Sequence, residues 1–334
     1  MGTELERITA WLERAGAQVR GPLTMRLIAG GLSNLTYAVS DAAGSRWVLR
    51  RPPHSALPSA HNVAREARIM AALAGTDVPV PRVVGVDTDG DVLGAPFFVM
   101  DFVDGSGVAT HDEGQHVAEP ARTAASADLI DVLAAVHAVD VDAVGLGDLG
   151  PRADYLQRQL RRWLRQFASS TERDVPLIDE VHATLAAHVP PQRRTGLVHG
   201  DYRMGNVLLG PEGSVRAVLD WELAALGDTL ADVGWLLATW RDVGEPELYP
   251  SPSGHPGYLG RAEMASRYAS STGADVSDLP WYVSFSLWRL ACIHEGIYAR
   301  YRSGAMGTDH TVDVEGEAQK VLVLAEAARQ AYAL

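Results

Sequence analysis

Residues 197–209 read Leu197-Val-His-Gly-Asp-Tyr-Arg-Met-Gly-Asn-Val-Leu-Leu209, and Ala217-Val-Leu-Asp-Trp-Glu222 follows shortly after. The pattern is an apolar strand, a loop carrying His199, Asp201 and Asn206, a second apolar strand, a turn over Gly210–Gly213, and a third strand ending on Asp220. Two carboxylates and a carboxamide therefore meet at the rim of one tight unit. Hard oxygen donors of this kind suit Mg²⁺, which takes few protein ligands and completes its shell with water and substrate phosphates. A further carboxylate beside that shell can orient a hydroxyl nucleophile and take its proton. Phosphoryl transfer needs such a set, because its transition state calls for positioning and charge neutralisation more than covalent help. The plainer alternative is an acidic hairpin whose Asp and Asn serve only as turn residues.

On the N-terminal side, residues 4–17 place Leu5, Ile8, Trp11 and Leu12 at helical spacing. Strands are predicted at Met25–Ile28, Leu35–Val39, Trp47–Arg50, Val83–Val86 and Phe97–Phe102, with a helix over 61–74 between the third and fourth. Gly30-Gly31-Leu32-Ser33-Asn34 lies between the first two strands, where glycines let the backbone and its N–H groups approach phosphates; the same residues also make an ordinary turn. Val78-Pro-Val-Pro81 is extended, since proline and its predecessor both resist helix. Gly105-Ser-Gly107 marks the crossing into a second half. There helices are expected at 123–139, 153–169, 176–188, 229–241, 260–271, 279–303 and 313–331, with short strands and loops over 197–220.

The set His199-Gly200-Asp201, then Asn206 and Asp220, resembles the catalytic segment of the aminoglycoside phosphotransferase-like kinases, relatives of the protein kinases. That resemblance implies that Asp201 is the catalytic base and that Asn206 and Asp220 hold Mg²⁺. It also implies a basic side chain on the third strand that grips the nucleotide phosphates and pairs with a glutamate on the next helix. Arg50 and Glu66 occupy those places. Lysine is usual in the family; arginine also binds phosphate and pairs bidentately with a carboxylate, but as a planar fork and not a point charge. Arg51 is the adjacent competitor, turned the other way by strand alternation. Phe97-Phe-Val-Met-Asp-Phe-Val-Asp-Gly105 resembles the strand and hinge that hold adenine, with Met100 as gatekeeper and the Asp101 carbonyl and Val103 N–H as the hydrogen-bonding pair. A plain buried edge strand would read the same way. Asp232 resembles the aspartate that braces the catalytic loop, and Asp228 either shares that task or caps the helix after it.

Within the family the chain is most similar to a branch that includes the kinase-like domains fused to acyl-CoA dehydrogenases, in which arginine at position 50 is habitual. The matching stretches are Val48-Leu-Arg-Arg-Pro-Pro53, Ser59-Ala-His-Asn-Val-Ala-Arg-Glu66, Val78-Pro-Val-Pro81 and His199-Gly-Asp-Tyr-Arg-Met-Gly-Asn206. The fold implied is α+β, two-lobed and protein-kinase-like. Residues 1–103 would form a nucleotide lobe of five antiparallel strands and a helix, and 104–334 a mainly helical catalytic and substrate lobe. The implied cofactors are ATP or GTP with Mg²⁺, and the implied partner is a small-molecule hydroxyl acceptor.

Other polar residues are less specific. Glu222 follows Asp220 closely and can sit near substrate. Arg289, His294 and Glu295 share the 279–303 helix and can line the acceptor pocket, although such groups are more often satisfied by local pairs. Trp221, Trp235, Trp240, Trp281 and Trp288 are expected in the core, although the later ones can wall an acceptor site, and His137 is expected to be structural.

The 334 residues are 47% hydrophobic and 21% charged, the make-up of a soluble globular protein. The least polar long stretch, Leu279 to Tyr298, still contains Arg289, His294 and Glu295, which argues against a membrane span. The charged, amphipathic N-terminus does not read as a secretory signal. Cys292 stands alone, so no disulfide framework is available, and a cytoplasmic protein is expected. Residues 1–103 are neutral and the net charge of −13 sits entirely in 104–334, a balance that disfavours nucleic acid. An acidic second half would suit a cationic aminoglycoside; the branch resemblance points to a hydroxylated metabolite, such as a hydroxyacyl thioester. A catalytically silent nucleotide-binding regulator is the rival from another class, supported by Arg50 and opposed by the intact Asp201, Asn206 and Asp220.

Overall fold

In the computed structural model of the chain, residues 3–30, 34–53, 60–304 and 313–332 are described. The first helix, α1 (Glu4–Arg14), opens on a capping box in which Thr3 and Glu6 satisfy each other's backbone N–H groups. It stops three residues short of the expected end because Ala15 caps it and Gly16 turns left-handed, at φ 89°. Five strands follow: β1 (Thr24–Gly30), β2 (Leu35–Ser40), β3 (Arg46–Arg51), β4 (Val83–Asp87) and β5 (Phe97–Asp101). They form one antiparallel sheet in the order β1-β2-β3-β5-β4, and α2 (Ala60–Leu73) bridges β3 to β4.

Strand alternation gives this sheet two different faces. Trp47, Leu49, Phe97 and Val99 pack with Ile8 and Leu12 of α1, whereas Val48, Phe98 and Met100 join Val63, Ala67 and Met70 of α2 in the core that continues into the second half. Each buried Leu or Phe contributes roughly 1.5–3 kcal/mol, more than exposed ion pairs such as Arg82–Asp101 at 2.8 Å, which are worth up to about 1 kcal/mol. Apolar burial on both faces therefore holds the sheet. The same alternation separates the neighbouring arginines: Arg50 shares the inner face with Val48, while Arg51 pairs with Glu4 of α1 at 3.4 Å.

The second half holds β6 (Ser106–Gly107), α3 (His111–His116), α4 (Glu119–Ala138), α5 (Tyr155–Ser170), α6 (Pro176–Ala187), β7 (Thr195–Val198), β8 (Val207–Leu209), β9 (Val215–Val218), β10 (Ala225–Asp228), α7 (Leu230–Ala238), α8 (Arg261–Thr272), α9 (Leu279–Arg302) and α10 (Val314–Ala331). The architecture is α+β and protein-kinase-like, as the sequence implies. Helix α3 and the two small strands β6 and β10 lie outside the expected elements. Each is too short to carry a periodicity of its own. β10 exists because it pairs antiparallel with β7, Ala225 opposite Val198, which closes the polar loop between them into a compact unit. Helix α9 explains its own lack of polar periodicity: Trp281, Tyr282, Phe285, Trp288 and Cys292 are all buried among α5, α6, α7 and α10. Burial pushes the Cys292 thiol far up, in keeping with an inert residue. Among the described residues no helix is long and apolar enough to cross a membrane.

Candidate active site

The loop after β7 is shaped by backbone demands before any side chain acts. Gly200 is left-handed at φ 84°, and a Cβ there would lie 2.7 Å from the Leu223 carbonyl oxygen, so only glycine fits between β7 and the turn after β9. Asp232 of α7 ties the loop down from below. Its carboxylate accepts from the His199 N–H at 2.6 Å, the Gly200 N–H at 2.8 Å and the His137 ring at 3.3 Å. Burial alone would raise the Asp232 carboxyl. The His137 hydrogen bond, the neighbouring imidazoles and the Gly200 N–H outweigh it and hold the group below the ordinary carboxylate range. Asp232 thus has the bracing place the resemblance implies. Asp228 takes the other option, accepting from the Leu230 N–H at 3.1 Å and from the Tyr282 hydroxyl at 2.8 Å.

Asp201 follows Gly200 and is held on both oxygens. Asn206 Nδ2 donates to Oδ2 at 2.7 Å and to the Asp201 backbone carbonyl at 2.8 Å. The Trp235 indole N–H donates to Oδ1, also at 2.7 Å. Arg203 stands near, its Nε 3.6 Å from Oδ1 and its guanidinium over the Tyr249 ring. Because Asn206 directs its amide N–H groups to Asp201, its Oδ1 has no hydrogen bond among the described residues.

Asp220 ends the β8–β9 hairpin in a left-handed conformation, φ 66°, one of two non-glycine residues with positive φ among those described. Such a conformation costs of order 1 kcal/mol or more and is usually retained where a side chain must be aimed. Here it brings the carboxylate to Arg50, whose Nη2 donates to Oδ1 at 2.7 Å. Arg50 Nε also lies 3.1 Å from Glu66 and its Nη2 4.0 Å from Glu222. Burial works against the Arg50 charge, but the Glu66, Asp220 and Glu222 carboxylates prevail and keep the guanidinium above its ordinary range. For Glu66 burial prevails over the pull of Arg50, with Asp220 and Glu222 adding to it, and the carboxyl is pushed up to about 7. Asn206 Oδ1 and the Asp220 carboxylate make a hard oxygen donor set that fits Mg²⁺ with substrate phosphates supplying the rest, and among the described residues no denser cluster of His, Cys, Asp or Glu competes.

The remaining sequence-derived residues fall into two groups. Asn34 reaches the site, donating to Glu222 at 3.5 Å, and its Oδ1 is buried without a partner. Gly30 ends β1 opposite Leu35 of β2, and Gly31, Leu32 and Ser33 lie outside the described residues. Met100 is buried opposite Val48, Asp101 ends β5 with its carboxylate on Arg82, and the Val103 N–H takes no hydrogen bond among the described residues. His294 and Glu295, by contrast, are engaged elsewhere: His294 with Glu317 at 2.6 Å, Glu295 with Arg173 at 2.7 Å and Thr171 at 2.8 Å. The local-pair alternative describes both. Arg289 is buried against the loop after β7 and donates to the Gly200 carbonyl at 2.9 Å.

Two features escaped the sequence. Arg65 of α2 donates to the Glu222 carbonyl at 3.3 Å and to the Ala224 carbonyl, clamping the segment after Asp220 from the first half. Its position one residue before Glu66 was the available signal. Trp235, read as core, is buried but puts its one polar atom on Asp201. Its place one helical turn after Asp232 was the hint, since both then share a face of α7.

A sequence model of the phosphotransferase enzyme family matches residues 24–264. Acyl-CoA dehydrogenase family member 10 of Mus musculus is 34% identical over 296 residues, covering 86% of this chain and 28% of the relative. A probable acyl-CoA dehydrogenase of Arabidopsis thaliana is 35% identical over 296 residues, covering 82% and 36%. The chain thus spans about a third of the length of these relatives. Among solved structures, a candidate aminoglycoside phosphotransferase of Ralstonia eutropha superposes with a TM-score of 0.83 at 32% identity, covering 98% of this chain and 97% of its own.

Proposed function

We propose that this chain, which belongs to the phosphotransferase enzyme family, moves the γ-phosphoryl group of ATP or GTP onto a hydroxyl of a small molecule. The observation that carries this reading is that Arg50 of the first half pairs with Glu66 and with Asp220 of the second, while Asn206, whose backbone carbonyl accepts from the Leu219 N–H beside Asp220, holds Asp201. Residues 1–103 serve as the nucleotide lobe and 104–334 as the catalytic and acceptor lobe. Asp201, fixed on both oxygens, orients the acceptor hydroxyl and takes its proton as the new O–P bond forms and the bond to the nucleoside diphosphate breaks. Arg50, positioned by Glu66, binds the nucleotide phosphates. The Asp101 carbonyl and Val103 N–H receive the base beside Met100, and the Gly30–Asn34 turn covers the phosphates. Asn206 and Asp220 would hold Mg²⁺, which when bound neutralises phosphate charge. Glu222, tied to Asn34, stands at the edge of this set, where it can contact nucleotide or acceptor.

Replacing Asp201 by Ala should abolish nucleotide consumption driven by a metabolite extract while leaving the fold and nucleotide binding in place. Turnover surviving in that variant would remove the assigned role. For the acceptor, the identity to proteins named as acyl-CoA dehydrogenases favours a hydroxylated metabolite such as a hydroxyacyl thioester. The acidic 104–334 region and the similarity to an aminoglycoside phosphotransferase-like structure favour an aminoglycoside. Surface charge beyond about 10 Å is screened at ordinary salt, so the first reading is preferred. Assaying hydroxyacyl thioesters beside aminoglycosides separates the two, and phosphorylation of the aminoglycosides alone would reverse the preference.

A further inference from the structure

We infer that Trp235, seated by Arg289, is the positioning residue that fixes the orientation of the Asp201 carboxylate. The inference rests on the reading of Asp201 as the base of a phosphoryl transfer. One carboxylate oxygen is tied by Asn206 from the catalytic loop itself and the other by Trp235 from helix α7, each at 2.7 Å. Two donors from separate elements stop rotation about the Cβ–Cγ bond, so the lone pairs left over face a constant direction.

Arg289 reinforces the arrangement from both ends. Its guanidinium carbon lies 4.0 Å from the Trp235 ring centroid and 4.9 Å from that of Trp163, while its Nη2 holds the Gly200 carbonyl at 2.9 Å, one residue before Asp201. A cation over an indole face draws electron density from the ring and makes its N–H a stronger donor to an anion. The indole does not compete for the proton being transferred. The acceptor hydroxyl gives its proton to Asp201, its oxygen bonds to phosphorus, the bond to the departing nucleoside diphosphate breaks, and the indole proton stays on nitrogen throughout.

Packing alone does not call for this contact. Trp221, Trp240, Trp281 and Trp288 direct their N–H groups to backbone carbonyls, whereas Trp235 is the tryptophan that, among the described residues, donates to a carboxylate.

The test removes the N–H and keeps the shape. Replacing Trp235 with 3-benzothienylalanine puts sulfur where the N–H stood, and Trp235→Phe serves as the genetic counterpart. Release of inorganic phosphate from MgATP, with water as acceptor, should fall about tenfold to a hundredfold in both, the loss expected of a charge-assisted hydrogen bond. The MgATP concentration giving half the maximal rate should stay within twofold. In enzyme labelled with ¹⁵N at the indoles, the Trp235 resonance is identified by its absence from Trp235→Phe, and it should move upfield in Asp201→Ala. A resonance unmoved by Asp201→Ala, or full turnover in the sulfur analogue, overturns the inference. A wild-type enzyme that releases no phosphate counts against the transferase reading instead, and the resonance then decides on the Trp235–Asp201 bond by itself.

Discussion

Glu66 is buried with Arg50 as partner and two further carboxylates, Asp220 and Glu222, within electrostatic reach. Its carboxyl rises from 4.5 to about 7 on folding, so the folded chain holds that proton more tightly than the unfolded one does. Between those two values the folded state binds more protons, and the contribution of Glu66 to stability therefore falls as pH rises. Relative to Glu66→Gln, the wild-type unfolding midpoint should drop between pH 5 and pH 8; parallel profiles would mean that Arg50 keeps Glu66 ionised throughout. At this scale much was legible. Asp201, Asn206 and Asp220 are fixed by spacing within one hairpin, and Arg50 was separable from Arg51 because alternation in a strand has a period of two. Trp235 was not legible, because the pattern that buries a tryptophan does not report which way its single N–H points.

The hairpin unit from β7 to β10 has strands of four residues or fewer each, and helix α7 ties its polar loop down through Asp232. Asp232 satisfies two backbone N–H groups and one imidazole at once, all buried. Replacing it with alanine strands those groups, and removing one partner from a buried charged network costs about 3–5 kcal/mol. Equilibrium denaturation of Asp232→Ala should register a loss of that order, and a change below about 1 kcal/mol would show that water replaces the carboxylate freely. Helix α2 acts on the same unit from the other side through Arg65. Its loss in Arg65→Ala should weaken nucleotide binding more than it lowers the unfolding midpoint, since the segment it clamps follows directly on Asp220. Equal nucleotide affinity in that variant would limit Arg65 to packing. The longer elements were readable because each carries several turns or a full alternating face. Strand β10 was not, since Ala225-Leu-Gly-Asp228 has no pattern until β7 lies beside it.

Across the whole molecule, the sheet and the helical half meet through a shared apolar core and through side chains that join them, Arg50 to Asp220, Asn34 to Glu222 and Arg65 to the backbone at 222–224. A nucleotide bound there touches both halves and should stabilise the chain as a unit. At a hundredfold excess over its dissociation constant, MgATP or MgGTP should add roughly 2.7 kcal/mol, read as a raised thermal midpoint that Asp220→Ala abolishes. No shift with either nucleotide would favour a chain that no longer works as a kinase. The ion pair between Arg50 and Asp220 also sets an order of arrival. The guanidinium is the counter-ion of the carboxylate proposed to hold a divalent metal, so a free cation competes with an arginine for it. A phosphate chain offers Arg50 a different anion and releases Asp220 in the same event. Metal and nucleotide should then enter as one complex, and Mg²⁺ titrated alone should leave the thermal midpoint where it stands.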